Sequence, residues 1–239
     1  MNENNGTLYG IGVGPGDPEL IPLKSVRILK EVDTVFAASS SKNQYSLAVR
    51  IAQNHIPEGT PIRMLDFPMT KDRQETEAAW LRHARSIIEY LESGKSAAFI
   101  TLGDSTTYST YGYILKNVRK LAPHLKIETI PGITSYQAAS ARLNIPLTEG
   151  EESLFVTSGV KGGDHLRSLH PKPENVVFLK AYKNAGDICN ALEEGGYLES
   201  SVGICSCGLE DEEIIRDIRE FRKRPPEYWT IIIGKKNKF

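Results

Sequence analysis

The opening Leu8-Tyr9-Gly10-Ile11-Gly12-Val13 holds no charged residue and runs straight into glycines, which predicts a short buried strand ending in a loop. Pro22 suits a first helical turn, with Leu23, Val26 and Leu29 spaced as one apolar face. The stretches Thr34-Val35-Phe36-Ala37-Ala38 and Ile62-Arg63-Met64-Leu65 predict a second and a third strand. Over 72–92 the period becomes helical: Trp80, Leu81, Ala84, Ile87, Ile88 and Leu91 form a stripe. Asp72 and Glu75 have capping-box spacing, and Gly94 stops the helix. Residues 96–102 are almost wholly apolar, as a central parallel strand should be. A helix over 107–120 and a strand over 126–130 follow, the strand ending at Pro131-Gly132. This alternation predicts a parallel-type sheet of five strands with helices on both faces.

Residues 147–153 are polar and acidic, so the chain divides into an N-terminal α/β domain, 1–147, and a C-terminal α/β domain, 151–239. The second half offers strands near 154–158, 176–182, 202–207 and 228–233, a helix over 185–194 and a charged segment over 210–224. A mixed sheet fits that pattern. The expected fold class is α/β, with two α/β domains.

Composition narrows the field. A chain of 239 residues suits two modest domains, and 40% apolar with 25% charged residues is ordinary for a globular protein. The net charge of -1 gives no overall field toward nucleic acid or an anionic membrane, though a small polyanion needs only a local basic patch. The polar start lacks a signal-peptide pattern, and no stretch approaches the roughly 20 apolar residues of a membrane span. A cytoplasmic protein without nucleic-acid or membrane partners is expected. Three cysteines, Cys189, Cys205 and Cys207, make no disulfide framework. Cys205 and Cys207 would share one face of a strand, with no His or Cys pair to complete a tetrahedral site, so no metal is expected.

Three loops carry the candidate chemistry. Gly12-Val13-Gly14-Pro15-Gly16-Asp17-Pro18 follows the first strand, where a phosphate cradle would sit. A dinucleotide fingerprint needs a sixth-position glycine, which here is Asp17, and the second strand supplies no acid for a ribose. There is no P-loop lysine either. Gly103-Asp104-Ser105-Thr106-Thr107-Tyr108 closes the central strand, where Asp104 or Ser105 could equally cap the next helix. Pro131-Gly132-Ile133-Thr134-Ser135-Tyr136 is again a strand end feeding a helix. Each loop alone is ordinary; three small-residue loops at one sheet edge are a ligand site.

Taken in order, the glycine loop, Gly103-Asp104 with Tyr108, and Pro131-Gly132-Ile133-Thr134-Ser135 resemble the tetrapyrrole methylase family over nearly the whole chain. The resemblance implies two α/β domains with S-adenosylmethionine bound in the cleft between them, S-adenosylhomocysteine as product, and a homodimer. It implies cofactor contacts at Pro15, Gly103, Asp104, Thr107, Thr134 and Ser135, with Tyr182, Cys207, Gly208 and Leu209 from the second domain. The opening through Pro18-Glu19-Leu20 and Asp66-Phe67-Pro68-Met69 resemble the branch that methylates carbon 20 of precorrin-2 or cobalt-factor II. Many family members have proline after Gly-Asp; Ser105 stands there instead, so the loop is either more flexible or presents a hydroxyl.

The implied acceptor is a tetrapyrrole with many carboxylates, and Lys42, Arg50, Lys71, Arg73, Arg142, Lys161 and Lys183 lie in or near strand-end loops that could hold them. After transfer the attacked carbon must shed a proton; Asp104 and Tyr108 are the catalytic candidates, with His165 also conceivable, while His83 reads as structural. Another acceptor, uroporphyrinogen III or a later precorrin, is the first rival. A nucleotide-dependent oxidoreductase is a remote one, and a non-catalytic protein on the same scaffold a third.

Overall fold

In the computed structural model, which describes residues 5–40, 46–70 and 72–237, the chain builds two five-stranded sheets. Strands β1 (Thr7–Gly12), β2 (Thr34–Ser40), β3 (Ile62–Phe67), β4 (Ala97–Thr101) and β5 (Lys126–Ile130) lie in the order β3-β2-β4-β1-β5, all parallel. β4 is buried along its whole length, as its unbroken apolar run requires when both faces are covered.

Helices α1 (Leu23–Leu29), α2 (Leu47–Ala52), α3 (Arg73–Glu92) and α4 (Tyr111–Leu121) cover this sheet. Ala84, Ile87 and Leu91 of α3 and Ile114 and Val118 of α4 pack on Leu8, Phe36, Leu65 and Phe99. Tyr111 lays its ring on β1, where a Cβ at Gly10 would stand 2.0 Å from its Cζ, and its hydroxyl lies 2.9 Å from Thr129 Oγ1. Lys24 of α1 pairs with Glu128, next to Thr129 and therefore on the opposite face. Asp72 caps α3 by accepting from the N–H groups of Gln74 and Glu75, and Gly94 follows the helix at φ +87. The Asp72 N–H donates to Thr70 Oγ1 and not to Glu75, so only half of the expected capping box forms.

Two helical expectations change. In α1 the buried stripe is Ser25, Ile28 and Leu29, while Leu23 is 88% exposed in the first turn. α4 begins at Tyr111, not near residue 107, because residues 104–107 are folded around the Asp104 carboxylate and Tyr108 takes φ +51.

The second sheet comprises β6 (Leu154–Ser158), β7 (Asn175–Leu179), β8 (Ser201–Cys205), β9 (Glu213–Ile215) and β10 (Thr230–Lys235), in the order β6-β7-β10-β8-β9. β6, β7 and β8 run one way and β9 and β10 the other, so the sheet is mixed. Its core joins Val176, Phe178 and Ile232 to Ile188, Cys189 and Leu192 of α7 (Ala185–Glu194); the short α6 (Asp164–Ser168) adds Leu166. The segment expected only to be charged holds β9 and a 3-10 turn, Ile218–Arg222. Contacts divide the chain after Thr134, ahead of the acidic segment. Helix α5 (Ser135–Leu143) packs on β10 and so goes with the second sheet, and buried Lys235 of β10 donates to Pro146 O at 2.8 Å.

Candidate functional site

β4, β1 and β5 are neighbours and parallel, so the loops leaving their carboxyl ends meet at one edge. Their meeting is made of backbone. Gly14 and Gly103 exchange two hydrogen bonds, of 3.2 and 2.7 Å, and both have positive φ, +84 and +70. A Cβ at Gly12 would stand 2.6 Å from Gly103 O and 2.7 Å from Gly132 N; one at Gly132 would stand 2.3 Å from Gly103 O. Glycine is required here because the three loops approach each other, and the room its missing side chains leave is taken by neighbouring backbone. Pro15 and Gly16 are buried in the same turn, and Asp17 caps the 3-10 turn Pro18–Leu20 through the Glu19 N–H.

Asp104 is not a helix cap. Its Oδ1 accepts from the Thr106 N–H at 2.8 Å, Thr106 Oγ1 at 2.6 Å and Thr107 Oγ1 at 3.1 Å, while Oδ2 accepts the Gly132 N–H at 3.0 Å. The residue is 6% exposed. Burial pushes the carboxyl up, but the bonds from Thr106, Gly132 and Thr107 outweigh it and hold it below the usual carboxylate range. A carboxylate so occupied is a poor proton acceptor, and its bonds tie the second loop to the third. Ser105 makes the same connection. Its buried hydroxyl donates to Ile130 O at 3.0 Å, so the residue that replaces proline does not loosen the loop.

Thr107 is half-buried, Thr134 is buried and Ser135 begins α5, while Tyr108 is 53% exposed. Residues 12–18, 103–109 and 131–136 contain no Lys or Arg. An edge of hydroxyls, backbone and one buried carboxylate suits an uncharged or cationic ligand, not a pyrophosphate.

The parallel strands of the second sheet give a corresponding edge. β7 ends before Lys180, at φ +55, and Ala181 N–H donates to Thr230 O, which presents Tyr182. Tyr182 lies 4.8 Å from the Tyr228 ring, which lies 4.7 Å from that of Trp229. Tyr228 and Trp229 are 40% and 44% exposed, a feature the sequence reading passed over as the start of a strand. β8 ends at Cys205 and Ser206 takes φ +50, so Cys207 lies beyond the strand and does not share a strand face with Cys205. Burial pushes the Cys207 thiol up to about 11. Gly208, exposed at φ +78, donates its N–H to Glu212 Oε2, and Leu209 N–H donates to Ser206 O.

The basic candidates separate clearly. Arg142 pairs with Glu212 at 2.5 Å and Arg73 with Glu77 at 2.7 Å. Arg50 is exposed on α2, and Lys42 and Lys71 lie outside the described residues. Lys161 and Lys183 follow β6 and β7, on loops joined by the bond from Asn184 Nδ2 to Val160 O, and Lys183 Nζ lies 5.5 Å from the Tyr182 ring. His83 bonds Asp66 O and packs on Phe67, a structural place, whereas exposed His165 has Nδ1 3.1 Å from Thr157 Oγ1.

The profile of the Tetrapyrrole (Corrin/Porphyrin) Methylases matches residues 7–220. The chain is 33% identical over 233 residues to the cobalt-precorrin-2 C(20)-methyltransferase of Salmonella typhimurium, covering 97% of each chain. It is 38% identical over 216 residues to a probable cobalt-precorrin-2 C(20)-methyltransferase of Methanocaldococcus jannaschii, covering 90% of this chain and 89% of that one. Its fold matches the uroporphyrin-III C-methyl transferase of Thermus thermophilus complexed with S-adenyl homocysteine. There the TM-score is 0.68 at 22% identity, over 96% of this chain and 97% of that one. Among the described residues no helix is long and apolar enough to cross a membrane.

Proposed function

Because the chain belongs to the tetrapyrrole (corrin/porphyrin) methylase family, we propose that it methylates carbon 20 of precorrin-2 in its cobalt-bearing form. It is an S-adenosylmethionine-dependent methyltransferase of cobalamin biosynthesis. The observation that carries the choice of acceptor is the resemblance to the Salmonella enzyme over 97% of both chains. We assign the cofactor to Pro15, Gly103, Asp104, Thr107, Thr134 and Ser135, together with Tyr182, Cys207, Gly208 and Leu209. Absence of Lys and Arg from the three loops supports a ligand that carries a sulfonium and no phosphate. The family resemblance further supports a cytoplasmic homodimer.

S-adenosylmethionine supplies a methyl on a cationic sulfur, and its transfer to carbon is an in-line displacement that discharges the sulfur. The loops hold the donor in line: positioning alone contributes up to roughly 7–11 kcal/mol to such a step. Asp104 acts by fixing the second and third loops and by placing a negative charge at their edge. Tyr108, projecting from the second loop, contacts the acceptor. Lys161 and Lys183 hold its peripheral carboxylates.

The test is anaerobic incubation with S-adenosylmethionine and, in parallel, precorrin-2, cobalt-precorrin-2, cobalt-factor II and uroporphyrinogen III, read by mass spectrometry. The expected result is one added methyl on a cobalt-bearing acceptor, cobalt-precorrin-2 or its oxidised form cobalt-factor II, with an equivalent of S-adenosylhomocysteine. Methylation of metal-free precorrin-2 alone would move the enzyme to the cobalt-free route. Methylation of uroporphyrinogen III alone would overturn the acceptor while leaving the family intact.

A further inference from the structure

Glu212 stands between two segments of the second unit. Its Oε2 accepts the Gly208 N–H at 2.8 Å, and its Oε1 accepts Arg142 Nε at 2.5 Å. The Glu212 side chain is 13% exposed and that of Arg142 61%, so the carboxylate is largely withdrawn from water and the guanidinium neutralises it. A carboxylate in that position without its partner is costly. The loop it holds has little regular structure to define it. Ser206 and Gly208 both lie at positive φ; Leu209 N–H donates to Ser206 O, Glu212 N–H to Leu209 O, Ser206 N–H to Trp229 O and Ser206 Oγ to Asp211, while the Gly208 N–H turns to the Glu212 carboxylate. Glu212 also lies against the Cys207 thiol and helps to keep it protonated, after burial itself. Arg142 belongs to the last turn of α5, the helix that starts at Ser135.

We infer that Arg142 and Glu212 form a latch that sets the conformation of the Cys207–Leu209 loop and thereby the affinity for S-adenosylmethionine. The latch rests on the assignment of that loop to the cofactor. Both are positioning residues: they act through the Gly208 N–H and take no part in the transfer. Arg142 is accordingly removed from the set that meets the acceptor's carboxylates.

The test is calorimetric titration of S-adenosylhomocysteine into the wild type, Arg142→Ala, Arg142→Lys, Glu212→Ala and the double alanine variant. Steady-state kinetics and thermal melts are measured on the same proteins. Glu212→Ala is expected to weaken S-adenosylhomocysteine and raise KM for S-adenosylmethionine about tenfold, as loss of one charge-assisted hydrogen bond would. Arg142→Ala should give about threefold or more, and the double variant no more than Glu212→Ala, because the two act in series. Arg142→Lys should recover part of the loss, while kcat at saturating donor and KM for the tetrapyrrole stay within about twofold of wild type. If Glu212→Ala does not fold, Glu212→Gln carries the same expectation at smaller size. Unchanged S-adenosylhomocysteine affinity in a folded Glu212 variant overturns the latch, as do additive effects. A rise confined to the tetrapyrrole KM in Arg142→Ala would return that residue to the acceptor. A wild type that binds no S-adenosylhomocysteine would remove the cofactor assignment itself, and the latch with it.

Discussion

Lowering the pH acts on Asp104 through the loops it joins. Its folded-state value lies below that of the unfolded chain, about 3.9, so the stability it contributes is complete above that pH. That stability is lost as the pH falls further, through the depressed folded value. Asp104→Asn should cost about 1–3 kcal/mol at neutral pH, since an amide cannot accept from both the Thr106 and Gly132 sides. Urea titrations of the two proteins across pH 3 to 7 check this: the wild type should lose its advantage in the acid limb, and parallel curves would refute the assignment. The residue was legible in the sequence as an acid at a strand end. Its bonding was not, because Gly132 lies 28 positions further along the chain. Arg142 shows the same limit in reverse, as its partner Glu212 lies 70 residues away and nothing local announces it.

At the scale of elements, the three loops work as one only while no side chain enters their junction. Gly132→Ala would put a Cβ 2.3 Å from Gly103 O, with backbone on the neighbouring sides and no flexible group to yield. The expected cost is about 3 kcal/mol or more, with S-adenosylhomocysteine binding abolished, measurable by denaturation and calorimetry. Wild-type affinity in that variant would show that the loops can part. Strands were readable where apolar or β-branched residues ran into a turn, and the expected 126–130 strand and 185–194 helix match β5 and α7. Ends set by backbone were not readable: Lys180 and Ser206 turn the chain at positive φ without being glycine. Nor does periodicity show that α4 waits until Tyr111 while Thr106 and Thr107 wrap the Asp104 carboxylate.

For the whole molecule, ligand linkage separates the remaining chemical classes. S-adenosylhomocysteine at a hundred times its Kd should stabilise the protein by about 2.7 kcal/mol, whereas nicotinamide nucleotides should leave its melting temperature unchanged. A shift with the nucleotide and none with S-adenosylhomocysteine would reverse the assignment. The order of the three loop motifs along the chain carried the resemblance to the family, and each motif ends a strand of one sheet. The division of the chain after Thr134 was hidden, because a polar stretch marks a loop and says nothing of which core the preceding helix joins. The glycine junction also bears on how a ligand is received. Its loops are set by bonds to one another, so ligand binding need not spend free energy on ordering them. Four glycines, Gly12, Gly14, Gly103 and Gly132, leave a wall that stands ready before anything is bound.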